Sequence, residues 1–362
     1  MHNNSKNPIV IIRCWTFNHG QYIRECLDGF VMQKTDFPFA AIVVDDASTD
    51  NEPDLLWNFI NTELDSSTAQ RDETEDYVRV ITTHKTNRNC MFVFMFLKYN
   101  HYSIKKNKKQ YLKEWEDNAK YIAGCEGDDY WTDPLKLQKQ IGFLESHPDF
   151  TMTCHRIQCY SQTSQKIIRE EYCYNKSRKI KTKDIIYRTG FFIPTCSIVF
   201  RRSVLDNYPE YCSKCMVGDY PLQIMCAMKG NTYYFNEVMG VYRVDNGSSW
   251  TGRQDWCVYS ERRVKVIRSQ INMFRGFAKD YPKWRKYFHN KEVDQILRHI
   301  PCKKGTPVED QKKYFAAFSE EINNLSLFEK IDMKIRMSTY YSFKTLYFKY
   351  ILSKYSRKYM WY

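Results

Sequence analysis

Four short apolar runs punctuate the first third of the chain: PIVIIRC (Pro8–Cys14), FAAIVVD (Phe39–Asp45), VRVITTH (Val78–His84) and AKYIAGC (Ala119–Cys125). Between the first two, YIRECLDGFVMQ (Tyr22–Gln33) sets Ile23, Leu27, Phe30 and Val31 at helical spacing, and Leu55–Ile60 lies in a second helical segment. Strands that alternate with helices predict a parallel, doubly wound sheet. An acidic polar stretch (Glu63–Asp76) leads into the third run, and a further helix is expected from about Cys90. The segment His101–Asn118 reads as a solvated insertion or a helix extension. Pro134 suits the first turn of a helix carrying Leu135, Leu137, Ile141, Phe143 and Leu144.

In sheets of this kind ligands bind beyond the carboxyl ends of the strands. The second run ends in VVDDASTD, with Asp45, Asp46 and Asp50, and the fourth runs into CEGDDYWTDP, with Glu126, Asp128 and Asp129. Carboxylates so close raise one another's pKa. Either water solvates them in loops or a cation sits among them. Two acidic clusters on one rim point to a hard cation with oxygen ligands, Mg²⁺ or Mn²⁺, of the kind that keeps waters and binds phosphates. Taken alone, DDAS serves equally well as a helix cap. Asp219 is a third acidic candidate. It opens a predicted short helix in VGDYPLQIMCAMKG, with apolar Leu222, Ile224, Met225 and Met228, and the helix dipole there favours its ionised form.

With 362 residues, the chain has room for two domains. Its opening, MHNNSKNP, lacks a basic region followed by an apolar core, so a cytoplasmic location is expected. The longest apolar run, CMFVFMFL (Cys90–Leu97), falls far short of the roughly 20 residues that cross a bilayer. The 13 scattered cysteines read as reduced thiols. Cys212 and Cys215 form one CxxC with no second pair, which argues against structural zinc. The net charge of +13 is unevenly placed: basic and acidic residues balance up to Asp255, and the whole excess follows it. That shift marks a boundary between residues 1–255 and a basic, aromatic extension, 256–362, expected to be mainly helical over Trp256–Lys291 and Glu309–Tyr362. As a helix, its end brings Phe343, Leu346, Tyr347, Tyr350 and Ile351 to one side. It then either lies on a membrane surface or packs on the α/β domain. Nothing matches a nucleic-acid-binding motif, and the charge sits outside the α/β region, so no nucleic-acid partner is expected.

TFNHGQYIRECLDGFVMQ (Thr16–Gln33), IVVDDASTD (Ile42–Asp50) and YIAGCEGDDYWTDPLKLQKQIGFLESHPDF (Tyr121–Phe150) together resemble the family 2 glycosyltransferases, with EGDDYWTDP similar to bacterial surface-polysaccharide transferases. FIPTCSIVFRRSVL (Phe192–Leu205), VGDYPLQ and YRVDNGSSW (Tyr242–Trp250) resemble that family's acceptor-side segments. The resemblance implies a GT-A fold, an α/β architecture with a Rossmann-like, mostly parallel sheet flanked by helices, and a mainly helical C-terminal extension beyond it. It implies an inverting hexosyl- or N-acetylhexosaminyltransferase. The donor is a nucleotide sugar, a UDP-sugar in the first instance, and the acceptor is a glycan or lipid-linked glycan. The setting is surface-polysaccharide synthesis in the cytoplasm, at the inner face of the membrane if the basic tail touches it.

Carried over residue by residue, the resemblance makes Asp129 the main metal ligand and gives Asp128 to the ribose or the metal. Asp46 accepts a hydrogen bond from the base, Asp45 supports that pocket, and Asp219 is the general base. Thr195 falls in the acceptor-side segment. Several positions depart from the family pattern and leave two readings each. Trp15 stacks on the nucleobase or packs. Arg88, in Asn87-Arg88-Asn89, reaches the diphosphate or is a solvated loop residue. Asp245, where relatives often carry His, is a metal ligand or a surface residue. Tyr130 and Trp131 form an apolar wall for a sugar or belong to the core. Two other functions compete: a sugar-nucleotide binder without turnover, against which the retained Asp219 speaks, and a basic nucleic-acid-binding protein.

Overall fold

A computed structural model describes residues 8–245, 259–299 and 308–337. They fall into two compact units, one of residues 8–182, 190–207 and 223–245, the other of 183–189, 208–222 and the described residues from 259 onward. Two stretches ahead of Trp256 thus belong to the second unit.

The first unit is built on one sheet of twelve strands. In chain order they are β1 (Val10–Thr16), β2 (Phe39–Asp45), β3 (Gln70–Glu73), β4 (Tyr77–Thr83), β5 (Cys90–Leu97), β6 (Tyr121–Gly124), β7 (Tyr130–Trp131), β8 (Phe150–Ser161), β9 (Lys166–Glu171), β10 (Arg178–Ile180), β11 (Val199–Arg201) and β12 (Asn231–Val244). The spatial order is β10-β12-β8-β11-β6-β1-β2-β5-β4-β3, with β7 pairing β12 and β9 pairing β8. The centre, β6-β1-β2-β5, is parallel, with Val10 opposite both Phe39 and Tyr121 and Phe39 opposite Cys90. Its strands are buried almost throughout, as expected where both faces of a parallel sheet are covered. The helices Ile23–Val31, Glu52–Glu63 and Lys136–Ser146 contribute Leu27, Phe30, Leu56, Phe59, Leu137 and Ile141 to that core.

One expected element changes type. Cys90–Leu97 is not the start of a helix but the strand β5, next to β2. Eight consecutive apolar residues carry no periodicity that separates a buried strand from a buried helix. Phe92, Phe94 and Phe96 line one face, stacked ring on ring. VRVITTH, in turn, forms β4, which runs antiparallel to β5 rather than joining the parallel set. Half of His101–Asn118 is loop, the rest a 3-10 turn at Lys108–Leu112 and a single helical turn at Lys113–Glu116.

The second unit is helical over its described C-terminal part: Glu261–Asp280, Arg285–His299, Val308–Ala317, Ser319–Asn323 and Leu327–Met337. Val264, Ile267, Ile271, Val293, Ile296, Tyr314 and Phe318 form its core. Cys212 and Cys215 are buried free thiols within this unit. The predicted apolar side Phe343–Ile351 lies outside the described residues.

Because Phe94 is fully buried between the stacked rings of Phe92 and Phe96, Phe94→Ala should lower the free energy of unfolding by about 3–5 kcal/mol. Urea denaturation checks this, and a loss under about 1 kcal/mol would contradict the packing described.

Candidate active site

The carboxyl ends of β1, β2 and β6 lie together because these strands run parallel and adjacent. Thr16 ends β1, Asp45 ends β2, and Cys125–Asp129 follows β6. The main chain ties these ends directly: the Asp46 N–H donates to Thr16 O at 3.0 Å, and the Gly127 N–H donates to Trp15 O at 3.0 Å. The approach at Gly127 needs a glycine, since a Cβ there would stand 2.3 Å from Thr16 Oγ1.

Below this rim lies a group the sequence did not single out. Glu52, at the start of its helix, is fully buried. It accepts hydrogen bonds from the Thr16 hydroxyl, from the His19 N–H at 2.8 Å and from Ser48 Oγ at 2.9 Å. Ser48 also bonds Asp45 Oδ1, through its N–H at 3.0 Å and its hydroxyl at 2.5 Å, so that Asp45 and Glu52 share the one hydroxyl proton. Asp50 binds the Gly20 N–H at 2.9 Å. The DDAS turn therefore welds the loop after β1 to the loop after β2, so Asp45 and Asp50 serve the scaffold of the rim. Burial pushes Asp45 up despite its bonds to Ser48, and pushes Glu52 up to about 7.

Asp46 is also buried, and its carboxylate is committed within the chain. Oδ1 accepts from the His101 N–H at 2.8 Å, and Oδ2 accepts from the Tyr102 N–H at 3.2 Å and from Lys108 Nζ at 2.7 Å. Lys108 Nζ lies 5.3 Å from the centroid of the Trp15 ring, which is half-buried. Lys108 went unremarked because it sits in a lysine-rich segment that reads as solvated surface.

The acidic loop after β6 is held from below by Arg243, on β12, which is 3% exposed. Its N–H donates to Asp129 Oδ1 at 3.0 Å, its guanidinium donates to Asp128 O at 2.6 Å and reaches the Glu25 carboxylate, and the cation lies over the rings of Tyr22 and Tyr130 at 4.9 and 4.6 Å. Burial, with the Asp128 charge beside it, pushes the Asp129 carboxyl well above the usual range. Asp128 is the more accessible of the pair, its side chain 13% exposed with Oδ2 3.9 Å from His19 Nε2. Thr195 packs against the end of β6, its Cγ2 3.1 Å from where a Cβ on Gly124 would stand.

At Arg88 and Trp131 the structure favours the second of the two readings, and at Asp219 the expected origin of the shift changes. Arg88 precedes β5 and so lies at the amino edge of the parallel strands, opposite the rim; 62% exposed, it pairs with Asp65 and cannot reach a diphosphate held at the rim. The reason is the antiparallel run of β4, which carries the following loop to the other edge. Trp131 is a core residue, 1% exposed, donating Nε1–H to Cys196 O at 2.8 Å, with Lys136 Nζ 3.9 Å from its ring centroid. It offers no wall to a sugar. At Asp219, in the second unit, burial rather than the helix dipole dominates and raises the carboxyl. Asp245 is exposed at a left-handed φ of 60° and accepts from Ser161 Oγ at 3.1 Å.

Among the described residues no three His, Cys, Asp or Glu side chains form a metal cage. The donor chemistry at Asp128 still fits a hard cation of the kind that takes one or two carboxylates and fills its remaining positions with waters and phosphate oxygens.

A mostly parallel α/β sheet with acidic loops at the carboxyl ends of its central strands has its ligand-binding edge at that rim. The model of the family described as glycosyl transferase family 2 matches residues 12–208. Uncharacterized proteins of Mycobacterium tuberculosis and Mycobacterium bovis are 31% identical over 266 residues, 72% of this chain and 67% of theirs. Among solved structures, residues 1–349 of S. aureus TarS in complex with UDP superpose with a TM-score of 0.55 at 13% identity, over 89% of this chain and 82% of that one. The complex with UDP-GlcNAc gives 0.50 at 14%, over 92% and 93%. The chain belongs to glycosyltransferase family 2 and is a glycosyltransferase. No helix among the described residues is long and apolar enough to cross a membrane.

Glu52 generates a prediction with a definite sign. Its folded pKa, about 7, lies above its ordinary value of 4.5, so the folded state binds more protons and stability falls as pH rises between those values. Glu52→Gln should flatten that fall. Urea midpoints measured from pH 4.5 to 7.5 test it, and parallel curves for the two proteins would refute it.

Proposed function

We propose that the protein is an inverting glycosyltransferase that moves a sugar from a nucleoside diphosphate donor, a UDP-sugar, to a hydroxyl of a glycan or lipid-linked glycan in surface-polysaccharide synthesis. The observation that carries this reading is the meeting of the β1, β2 and β6 loops on one rim, with Asp128 at its accessible edge. The fold shared with TarS, whose solved complexes contain UDP and UDP-GlcNAc, supports the choice of nucleotide.

Asp128, with Asp129 behind it, would hold Mg²⁺ or Mn²⁺. Such an ion, when bound, neutralises charge that builds on the departing diphosphate. Arg243 keeps the loop in place by occupying the Asp128 carbonyl and Asp129 Oδ1. Asp219 takes the proton from the acceptor hydroxyl as that oxygen attacks the anomeric carbon. The bond from that carbon to the diphosphate breaks on the opposite face, so an α-linked donor gives a β-glycoside. A carboxyl raised by burial is a stronger base than a solvated one, and its effectiveness declines as pH falls through its pKa. Tyr130, half-buried beside Arg243, and Thr195, against the end of β6, remain the proposed acceptor-side residues, and Asp245 a proposed further oxygen ligand.

A membrane-surface contact belongs to the same proposal. On the helix Leu327–Met337, Leu327 and Phe328 are 71% and 83% exposed and Ile331 is 43% exposed, ahead of the basic aromatic sequence to Tyr362. Basic charge near anionic lipid adds roughly 1 kcal/mol per residue.

Two experiments test these assignments. Asp219→Asn should keep its melting temperature and its affinity for UDP but lose transfer from UDP-sugars by about 10²-fold or more. A stable variant that retains most of its rate removes Asp219 as the base, and absence of turnover by the wild type with every donor, with and without Mn²⁺, would favour a silent binder. Phe328→Asp should weaken sedimentation with anionic liposomes at low salt while leaving transfer to a soluble acceptor unchanged. Equal sedimentation of the two proteins would exclude this face.

A further inference from the structure

The residue expected to read the nucleobase has no room to do so. Asp46 is 1% exposed, and its two oxygens already accept the His101 and Tyr102 N–H groups and the Lys108 ammonium. A carboxylate offers about four acceptor positions, and three are filled from within the chain. The segment that fills them is anchored. His101 is fully buried, with its ring between Tyr99 O at 2.8 Å and the Tyr111 hydroxyl at 2.9 Å. The Tyr111 hydroxyl in turn meets Asp76, and Lys106 Nζ donates to Asp76 at 2.6 Å. What this segment presents at the end of β1 and β2 is the Lys108 ammonium, 5.3 Å from the Trp15 ring centroid, on a side chain 21% exposed.

Resting on the reading that the donor is a nucleotide sugar, we propose that Lys108 is the specificity-determining residue for its base. One of its three N–H groups is spent on Asp46, and another donates to a keto oxygen of a base lying against Trp15. The polarity of recognition is thereby reversed. The pocket offers a cationic donor where a free aspartate would offer an acceptor. Uracil presents two keto oxygens and satisfies it. Adenine presents no keto oxygen and leaves the ammonium unmatched. Asp46 acts as the positioning residue, since its buried charge holds the ammonium in place and compensates it. A hydrogen bond from a charged donor is among the stronger ones, and losing it costs about tenfold or more in affinity.

Calorimetry on the full chain with UDP and with ADP tests this. The wild type should prefer UDP. Lys108→Met, which keeps the aliphatic stem and removes the donor, should lose about tenfold in UDP affinity while ADP affinity stays within about twofold. Lys108→Gln, which retains an N–H donor, should recover part of the UDP affinity. Unchanged or tighter UDP binding by Lys108→Met overturns the proposal, because Lys108 would then be a bystander or an obstacle to the base. An equal loss for UDP and ADP also overturns it, as that is the signature of a merely structural role. Should Lys108→Met not fold, the same comparison on Lys108→Gln decides: a loss confined to UDP supports the proposal, and an equal loss overturns it. A wild type that binds neither nucleotide refutes the donor reading itself, and the role of Lys108 with it.

Discussion

A single buried arginine ties down the acidic loop after β6. Glu126, Asp128 and Asp129 crowd three negative charges into four residues, and desolvation of Asp129 makes its charged form costly. Arg243 answers from across the sheet. Its peptide N–H takes Asp129 Oδ1, its guanidinium takes the Asp128 carbonyl, and two aromatic rings cover the cation. Removing one partner from a buried charged arrangement leaves the other uncompensated. The placement of Asp128 therefore depends on a residue of β12, the strand with which β7 pairs directly after the loop.

The same arrangement recurs in a different chemistry at Glu52. There the partners are neutral donors from the loops after β1 and β2, so the carboxyl is satisfied without being neutralised by a cation. Lys136 is the mirror case: an ammonium fully buried, bonded to Gln140 Oε1 at 2.7 Å and lying on the face of Trp131, with its pKa pushed down to about 7 by burial. Both groups are buried with their polar atoms bonded within the chain.

The family, the central parallel strands and the acidic loops were legible in the sequence because they are local. FAAIVVD is β-branched, ends in carboxylates and is bounded by turn residues, and CEGDDYWTDP stands out by composition alone. What failed was long-range. Nothing within CMFVFMFL says that it inserts beside β2, and the choice between the two readings of Arg88 rests on the direction of β4, which sets the edge to which its loop returns. Trp131, left open between a sugar wall and the core, is turned inward by the pairing of β7 with β12. Glu52, Lys108 and Arg243 acquire meaning only through partners 36, 62 and 114 residues away.

That last separation has a consequence for how the chain reaches its native state. The hairpin of β4 and β5 closes over a short loop, whereas β1 must find β6 more than a hundred residues on, and β8 must accept β12 in parallel register after some eighty residues. Contacts so distant along the chain form slowly. During synthesis, the strands from β1 to β6 emerge while Arg243 has yet to be made. The EGDD loop is thus a late arrival in the order of assembly, and until β12 docks its three charges are best kept in water.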